Sequence, residues 1–150
     1  MTSPSILSAE ERAFVAAART AILATTAPSG RPRLVPICFV IEGDVVLSPL
    51  DEKPKRVVDP RTLARVRDLR TQRRVALLVH RWDEDWSRLA WLRLRGTARL
   101  LEPGEPEHAA VIVPLRAKYP QYVSQAIDVR PMLRIELDRA TSWGDLGEEP

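Results

Sequence analysis

The chain has 150 residues, 45% of them hydrophobic and 29% charged, enough for one compact core of ordinary composition and short for two. Thirteen prolines and six glycines without any low-complexity tract argue against a fibrous or disordered chain. We expect a single domain over residues 1–150. The longest apolar stretch, Leu34 to Ile41, falls far short of the roughly 18 residues of a membrane span and contains a proline, so no membrane partner is expected. Met1 to Arg12 lacks the basic-then-apolar pattern of a secretory signal, and a single cysteine, Cys38, cannot form an internal disulfide. Both features point to the cytoplasm.

The net charge of +3 is unevenly placed. Residues 53–74 hold nine bases against two acids, a local charge of +7, and leave 14 bases against 18 acids elsewhere. Such concentration points to an anionic partner for the segment.

In chain order, Ser8 followed by Glu11 forms a capping box, and Ala9 to Arg19 supplies helix formers with Phe14, Val15 and Ala18 on one face. Ala21 to Thr26 and Leu34 to Ile41 are apolar runs joined by the turn-rich Ala27-Pro28-Ser29-Gly30-Arg31-Pro32, which predicts a hairpin. A second turn at Glu42-Gly43-Asp44 leads into Val45 to Leu47 and extends the hairpin to a meander. Asp59 caps a helix with Pro60 at its first position and Leu63, Val66 and Leu69 on one face, running to about Gln72.

Arg73 to His80 reads as a strand. Leu89 to Leu101 alternates, with Ala90, Leu92, Leu94, Gly96, Ala98 and Leu100 inward and Trp91, Arg93, Arg95, Thr97 and Arg99 outward. Gly96 marks a bend or bulge. Glu105 to Tyr119 predicts a helix broken at Pro114, with a further turn or two over Gln121 to Ile127, and Met132 to Asp138 alternates as a last strand. Antiparallel hairpins without a βαβ rhythm favour a mainly β fold, a small barrel with helices packed on it.

Two constellations carry chemistry. Ser48-Pro49-Leu50-Asp51-Glu52-Lys53-Pro54-Lys55-Arg56 leaves a strand and enters the basic segment; two ammonium groups and a guanidinium suit a phosphate monoester, while the alternative is a solvated loop. Trp82, Trp86 and Trp91 lie within ten residues of one another beside His80, Arg81, Arg93 and Arg95, a pattern suited equally to a planar ligand or to a second subunit. Adjacent Glu84 and Asp85 do not make an acid/base pair, since neighbours on a strand point opposite ways. His80 and His108 have no partners at metal-ligand spacing, so no metal site is expected. Cys38 reads as a small buried hydrophobe, and no dinucleotide fingerprint, phosphate loop or nucleophile elbow is present.

Several stretches together resemble the flavin and deazaflavin oxidoreductases related to pyridoxamine 5′-phosphate oxidase: Ala21-Ile22-Leu23-Ala24-Thr25-Thr26, Gly30-Arg31-Pro32-Arg33-Leu34-Val35-Pro36-Ile37-Cys38-Phe39, Val46-Leu47-Ser48, Lys53-Pro54-Lys55-Arg56, and Asp85-Trp86-Ser87-Arg88-Leu89-Ala90-Trp91 leading to Arg95-Gly96-Thr97-Ala98. The resemblance covers about residues 8–143 and is strongest to the group using coenzyme F420, an 8-hydroxy-5-deazaflavin, with FMN as the alternative cofactor. It implies a split β-barrel homodimer with one isoalloxazine-like ring in each of two clefts between subunits. By position, Val35, Pro36, Ile37 and Cys38 would line the ring, Ser48, Lys53, Lys55 and Arg56 would hold the phosphate, and Trp86 and Trp91 would close the cleft. The acidic tail after Trp143 departs from the oxidase's pyridoxal-binding ending, which sets vitamin B6 chemistry apart.

The resulting expectation is an oxidoreductase acting on a small-molecule substrate, with hydride carried by the cofactor and no catalytic side chain required. A protein that binds haem breakdown products or sequesters a cofactor on the same barrel is an alternative. A nucleic-acid-binding module is a more remote one, because the arginines of residues 61–74 surround a Leu63, Val66, Leu69 stripe and no recognition motif accompanies them.

Overall fold

The structure is a computed structural model and describes residues 4–50 and 59–147. Helix α1, Ala9–Ala17, begins with the expected capping box: Ser8 Oγ accepts from Glu11 N, and Ser8 N donates to Glu11 Oε1 at 2.9 Å. Strands β1 (Ala21–Thr26) and β2 (Pro32–Ile37) form the expected hairpin, turned at Gly30 with φ +86°. β3 (Val40–Glu42) and β4 (Val45–Pro49) form a second hairpin around Gly43. Helix α2 (Ala64–Asp68), strands β5 (Arg74–Arg81) and β6 (Ala90–Leu101), helix α3 (Pro106–Lys118) and strand β7 (Met132–Gly144) complete the order.

Among the described residues the seven strands make one antiparallel sheet in the order β2-β1-β5-β6-β7-β4-β3. β2 and β3 are thus its two edges, yet only Cys38 and Phe39 separate them along the chain. Three residue steps from Ile37 to Val40 reach no more than about 11 Å. The sheet must therefore curl until its edges nearly meet, and the seam stays open because β2 and β3 do not pair. This is a mainly β split barrel, as the sequence led us to expect. The interior holds Leu23, Phe39, Val46, Leu77, Leu92, Leu94 and Ile135, and a second cluster under α3 joins Leu47, Leu101, Leu115, Ile127 and Met132.

Four local expectations are corrected. The run from Leu34 to Ile41 is not one strand, and the meander is instead two hairpins at opposite edges. Phe39 leaves the ladder because the Tyr119 hydroxyl serves its backbone, accepting from Phe39 N at 3.0 Å and lying 3.1 Å from its carbonyl. The helix expected from Asp59 to Gln72 is a single 3-10 turn, Pro60–Thr62, and the five-residue α2, parted by Leu63 in an extended conformation. Its cap and apolar stripe hold: Asp59 accepts from Arg61 N, and Val66 and Leu69 are buried.

α3 runs unbroken through Pro114, since the carbonyl that loses its partner belongs to exposed Ala110 and can turn to water. β7 continues six residues past Asp138 and pairs with β6 along its whole length. A bulge at Arg95/Gly96 takes up the register there, and a methyl group on Gly96 would strike the Glu136 carbonyl.

Candidate cofactor cleft

Val35, Pro36, Ile37 and Cys38 run along the open seam. β2 pairs on one side with β1 alone, so alternate backbone groups face outward, and Pro36, exposed, has no N–H to leave unpaired there. Val35 and Cys38 are half-buried and Ile37 is buried. The start of this strand is fastened by Arg33, whose Nε donates to Asp68 Oδ2 at 2.8 Å while Thr25 Oγ1 donates to the same oxygen at 2.7 Å. The Arg33 hydrogen bond, with Thr25 adding to it, holds the Asp68 carboxyl below the usual range despite its burial.

Ser48 is buried and donates its hydroxyl to the Cys38 carbonyl at 2.7 Å, so β4 grips the end of the β2 segment across the seam. Its proton is committed within the barrel rather than offered to solvent. Lys53, Lys55 and Arg56 lie outside the described residues.

Downstream of them the basic segment forms a groove of about 370 Å³, rimmed by Arg61, Arg70, Arg73 and Arg99 over an apolar floor that includes Leu69 and Ala98. Arg61 is held by Glu102 at 2.5 Å and by Asp59, and Arg99 by Glu105 at 3.2 Å. The Glu102 carboxylate accordingly raises the pKa of Arg61. Arg70 and Arg73 carry no ion pair among the described residues, which leaves two guanidinium forks facing the groove without a carboxylate. Arg99 and Glu102 belong to β6 and its end; sequence reading confined to residues 53–74 missed them, and only the pairing of strands brings them alongside.

The outward face of the sheet mixes aromatic, apolar and basic side chains. Trp91 stands opposite His80 on β5 and Trp143 on β7, with Arg93 stacked 5.4 Å from its ring. Leu34, Leu78 and Trp143 are exposed on or beside the same face. The sequence does not mark Trp143 as part of this face, because the apolar alternation of β7 fades after Asp138 while the strand continues to Gly144.

Trp82 and Trp86, 62% and 70% exposed, project from the β5–β6 connection. Its acids are structural: Asp83 accepts from Asp85 N at 2.8 Å and pairs with Arg88, while Asp85 accepts from Ser87 Oγ at 2.7 Å and from Ser87 N. Those Ser87 bonds hold the Asp85 carboxyl below its ordinary range. Within one chain Trp91 lies three strands from the Val35–Cys38 segment, roughly 14 Å at normal strand spacing. One chain therefore brings Ser48 against Cys38 and leaves Trp86 and Trp91 elsewhere. His108 is buried with Nε2 2.7 Å from the Arg130 carbonyl, and among the described residues no group of three His, Cys, Asp or Glu side chains is placed to hold a metal. No helix there is long and apolar enough to cross a membrane.

None of the curated proteins is similar enough to the chain to count as a match. Among solved structures, the conserved hypothetical protein Rv2991 from Mycobacterium tuberculosis superposes with a TM-score of 0.71 at 24% identity, over 96% of this chain and 89% of that one. The haem storage protein HutZ from Vibrio cholerae gives 0.68 at 14%, over 89% and 90%. An F420 reductase gives 0.63 at 16%, over 87% and 94%. At such identities the likeness is one of fold. The pyridoxamine 5′-phosphate oxidase family pattern, by contrast, matches residues 7–144. The chain thus belongs to the pyridoxamine 5′-phosphate oxidase family.

Proposed function

We propose that the protein is an oxidoreductase that binds coenzyme F420 in a cleft between two copies of the chain and serves a small organic substrate. The observation that carries this reading is the groove holding Arg70 and Arg73 without carboxylate partners among the described residues. FMN ends in one phosphate, whereas F420 continues into an acidic glutamyl tail, and a strip of guanidinium groups beyond the phosphate-binding segment suits the longer anion. The F420 reductase among the structural neighbours supports the choice.

The residues fit such a group. The open edge of β2 offers backbone donors and acceptors to a flat heterocycle along Val35–Cys38, and Lys53, Lys55 and Arg56 would neutralise its phosphate. Bound there, the cofactor supplies hydride transfer at its ring. Ser48 positions the end of the lining segment by holding the Cys38 carbonyl, and Arg33 with Asp68 fixes its start. Trp86 and Trp91 would come from the partner copy, since the aromatic and arginine-rich sheet face carrying Trp91, Leu78 and Trp143 suits a protein contact and their own copy's seam is three strands away.

Fluorescence titration with F420 and with FMN tests the reading. Binding of F420 at least tenfold tighter than FMN is expected; tight FMN binding without F420 binding would overturn the preference, and binding of neither would overturn the reading.

A second reading rests on His80. It is exposed on the aromatic face and lines a shallow hollow of about 410 Å³ with Leu78, Trp91 and Arg93. An imidazole beside an indole and a guanidinium suits an axial ligand and a propionate partner for haem, and HutZ is described as a haem storage protein. Titration with hemin, followed by its visible absorption band and repeated with His80→Ala, decides it.

A further inference from the structure

Lys118 ends α3 with its ammonium group turned back to the barrel seam. Nζ donates to the Phe39 carbonyl at 2.9 Å and lies 4.1 Å from the centre of the Phe39 ring and 5.4 Å from that of Tyr119. Beside it, Arg19 donates to the carbonyl of Lys118 itself at 2.7 Å and stacks on Tyr119 at 4.8 Å. Cys38 and the Tyr119 hydroxyl are the other ionisable groups facing the amine. Neither Lys118 nor Arg19 pairs with a carboxylate among the described residues. Two cations thus share one aromatic ring at the protein surface with no carboxylate paired to either among the described residues, and the amine is half-buried.

We propose that Lys118 is an acylation site for acyl phosphates, in which its amine is the nucleophile and the Arg19 guanidinium receives the phosphate group. The proposal is independent of the cofactor reading. In the neutral amine one N–H keeps the Phe39 carbonyl while the lone pair is free. That pair attacks the acyl carbon, the C–N bond forms, the C–O bond to phosphate breaks, and inorganic phosphate departs as the amine gives a proton to water. The product amide retains one N–H for the same carbonyl, so the modification is compatible with the fold, and it discharges the repulsion against Arg19. An acyl phosphate is the donor class favoured here because a guanidinium with no carboxylate partner among the described residues, beside the nucleophile, would bind a phosphate dianion and offers nothing to a neutral ester.

Burial first, and then Arg19, lower the pKa of the Lys118 amine to about 8. At neutral pH that raises the reactive fraction ~300-fold over an ordinary lysine. The weaker base is also the poorer nucleophile and gives back most of that gain. A net advantage of about tenfold is expected. The chain has three lysines, Lys53, Lys55 and Lys118, so peptide mass spectrometry reads the site directly.

The test incubates the intact protein with acetyl phosphate at pH 7 in the presence of Nα-acetyl-lysine amide as an internal reference amine. Lys118 should acquire acetyl about tenfold faster than the reference; a rate no faster than the reference overturns the proposal. A second arm compares acetyl phosphate with p-nitrophenyl acetate, a neutral donor, on the wild-type protein and on Arg19→Gln. The substitution should cut the acetyl phosphate rate several-fold more than the ester rate, whereas an equal change in both removes Arg19 as the phosphate receptor.

Discussion

Arg33 Nε and Asp68 Oδ2 lie 2.8 Å apart, and the carboxylate, 1% exposed, joins α2 to the β1–β2 hairpin where β2 begins. Asp68→Ala would leave Thr25 and Arg33 without their acceptor and is expected to cost about 2–3 kcal/mol, measured by urea unfolding. The pairing also fixes a pH dependence. The folded pKa of Asp68 is depressed, chiefly by the Arg33 hydrogen bond, so its contribution is complete above the unfolded carboxyl value and disappears as the pH falls through the lower folded value. Thermal unfolding of the wild-type protein should therefore lose ground below about pH 4, and Asp68→Asn should show a flatter acid limb. Parallel acid limbs would refute the assignment.

Gly96 is the point where β6 lets the Glu136 backbone approach too closely for a side chain. Gly96→Ala is expected to destabilise by about 1–3 kcal/mol, because a methyl group there must displace main chain rather than a flexible side chain. Equilibrium denaturation reads this, and an unchanged midpoint would mean that the β6–β7 bulge yields freely.

For the groove, Arg70→Gln with Arg73→Gln should weaken F420 binding about tenfold while leaving FMN affinity nearly constant, since the substitutions lie beyond residues 53–56, proposed to hold the phosphate. The wild-type affinity should also fall more steeply with added salt for F420 than for FMN. Equal losses for both cofactors would place the groove at the phosphate instead. Lys55→Ala and Arg56→Ala, in turn, should each weaken both cofactors about tenfold without altering the fold.

The sheet face carrying Trp91 gives a fourth expectation. Trp91→Ala and Leu78→Asp should shift the protein from dimer to monomer in sedimentation velocity and abolish ring binding together with assembly. A stable monomer that still binds its cofactor would remove the cleft between copies.

Much of this fold is local and was readable as such. Ser8 and Glu11 announce α1 through a reciprocal cap, and the apolar–charged alternation from Ala90 to Arg99 sets which face of β6 is buried. Gly96 signals its bulge because no other residue tolerates the approach. What was not legible depends on distant chain. Nothing near Phe39 says that Tyr119, eighty residues on, will take its backbone groups and split a strand in two. Whether the Ala110 carbonyl freed by Pro114 can turn to water is a fact of tertiary exposure that the sequence does not show. Ser48 carries a hydroxyl suited to phosphate in any strand-to-loop junction, and only the curl of the sheet reveals the Cys38 carbonyl beneath it. The basic segment and the tryptophan cluster were foreshadowed by composition, and Val35–Cys38 was singled out only by the family resemblance; their relative placement was not legible.

The pairing of β4 with β7 has a consequence for synthesis. Residues 45–49 of β4 meet residues 132–136 of β7, so the β3–β4 hairpin emerges from the ribosome long before its neighbour exists. A nascent chain halted ahead of Met132 holds that hairpin with β4's long side unmatched, a sticky ribbon that invites aggregation. Ring closure is then a late and non-local event, and the maturation rate of this protein should be set by the emergence of β7.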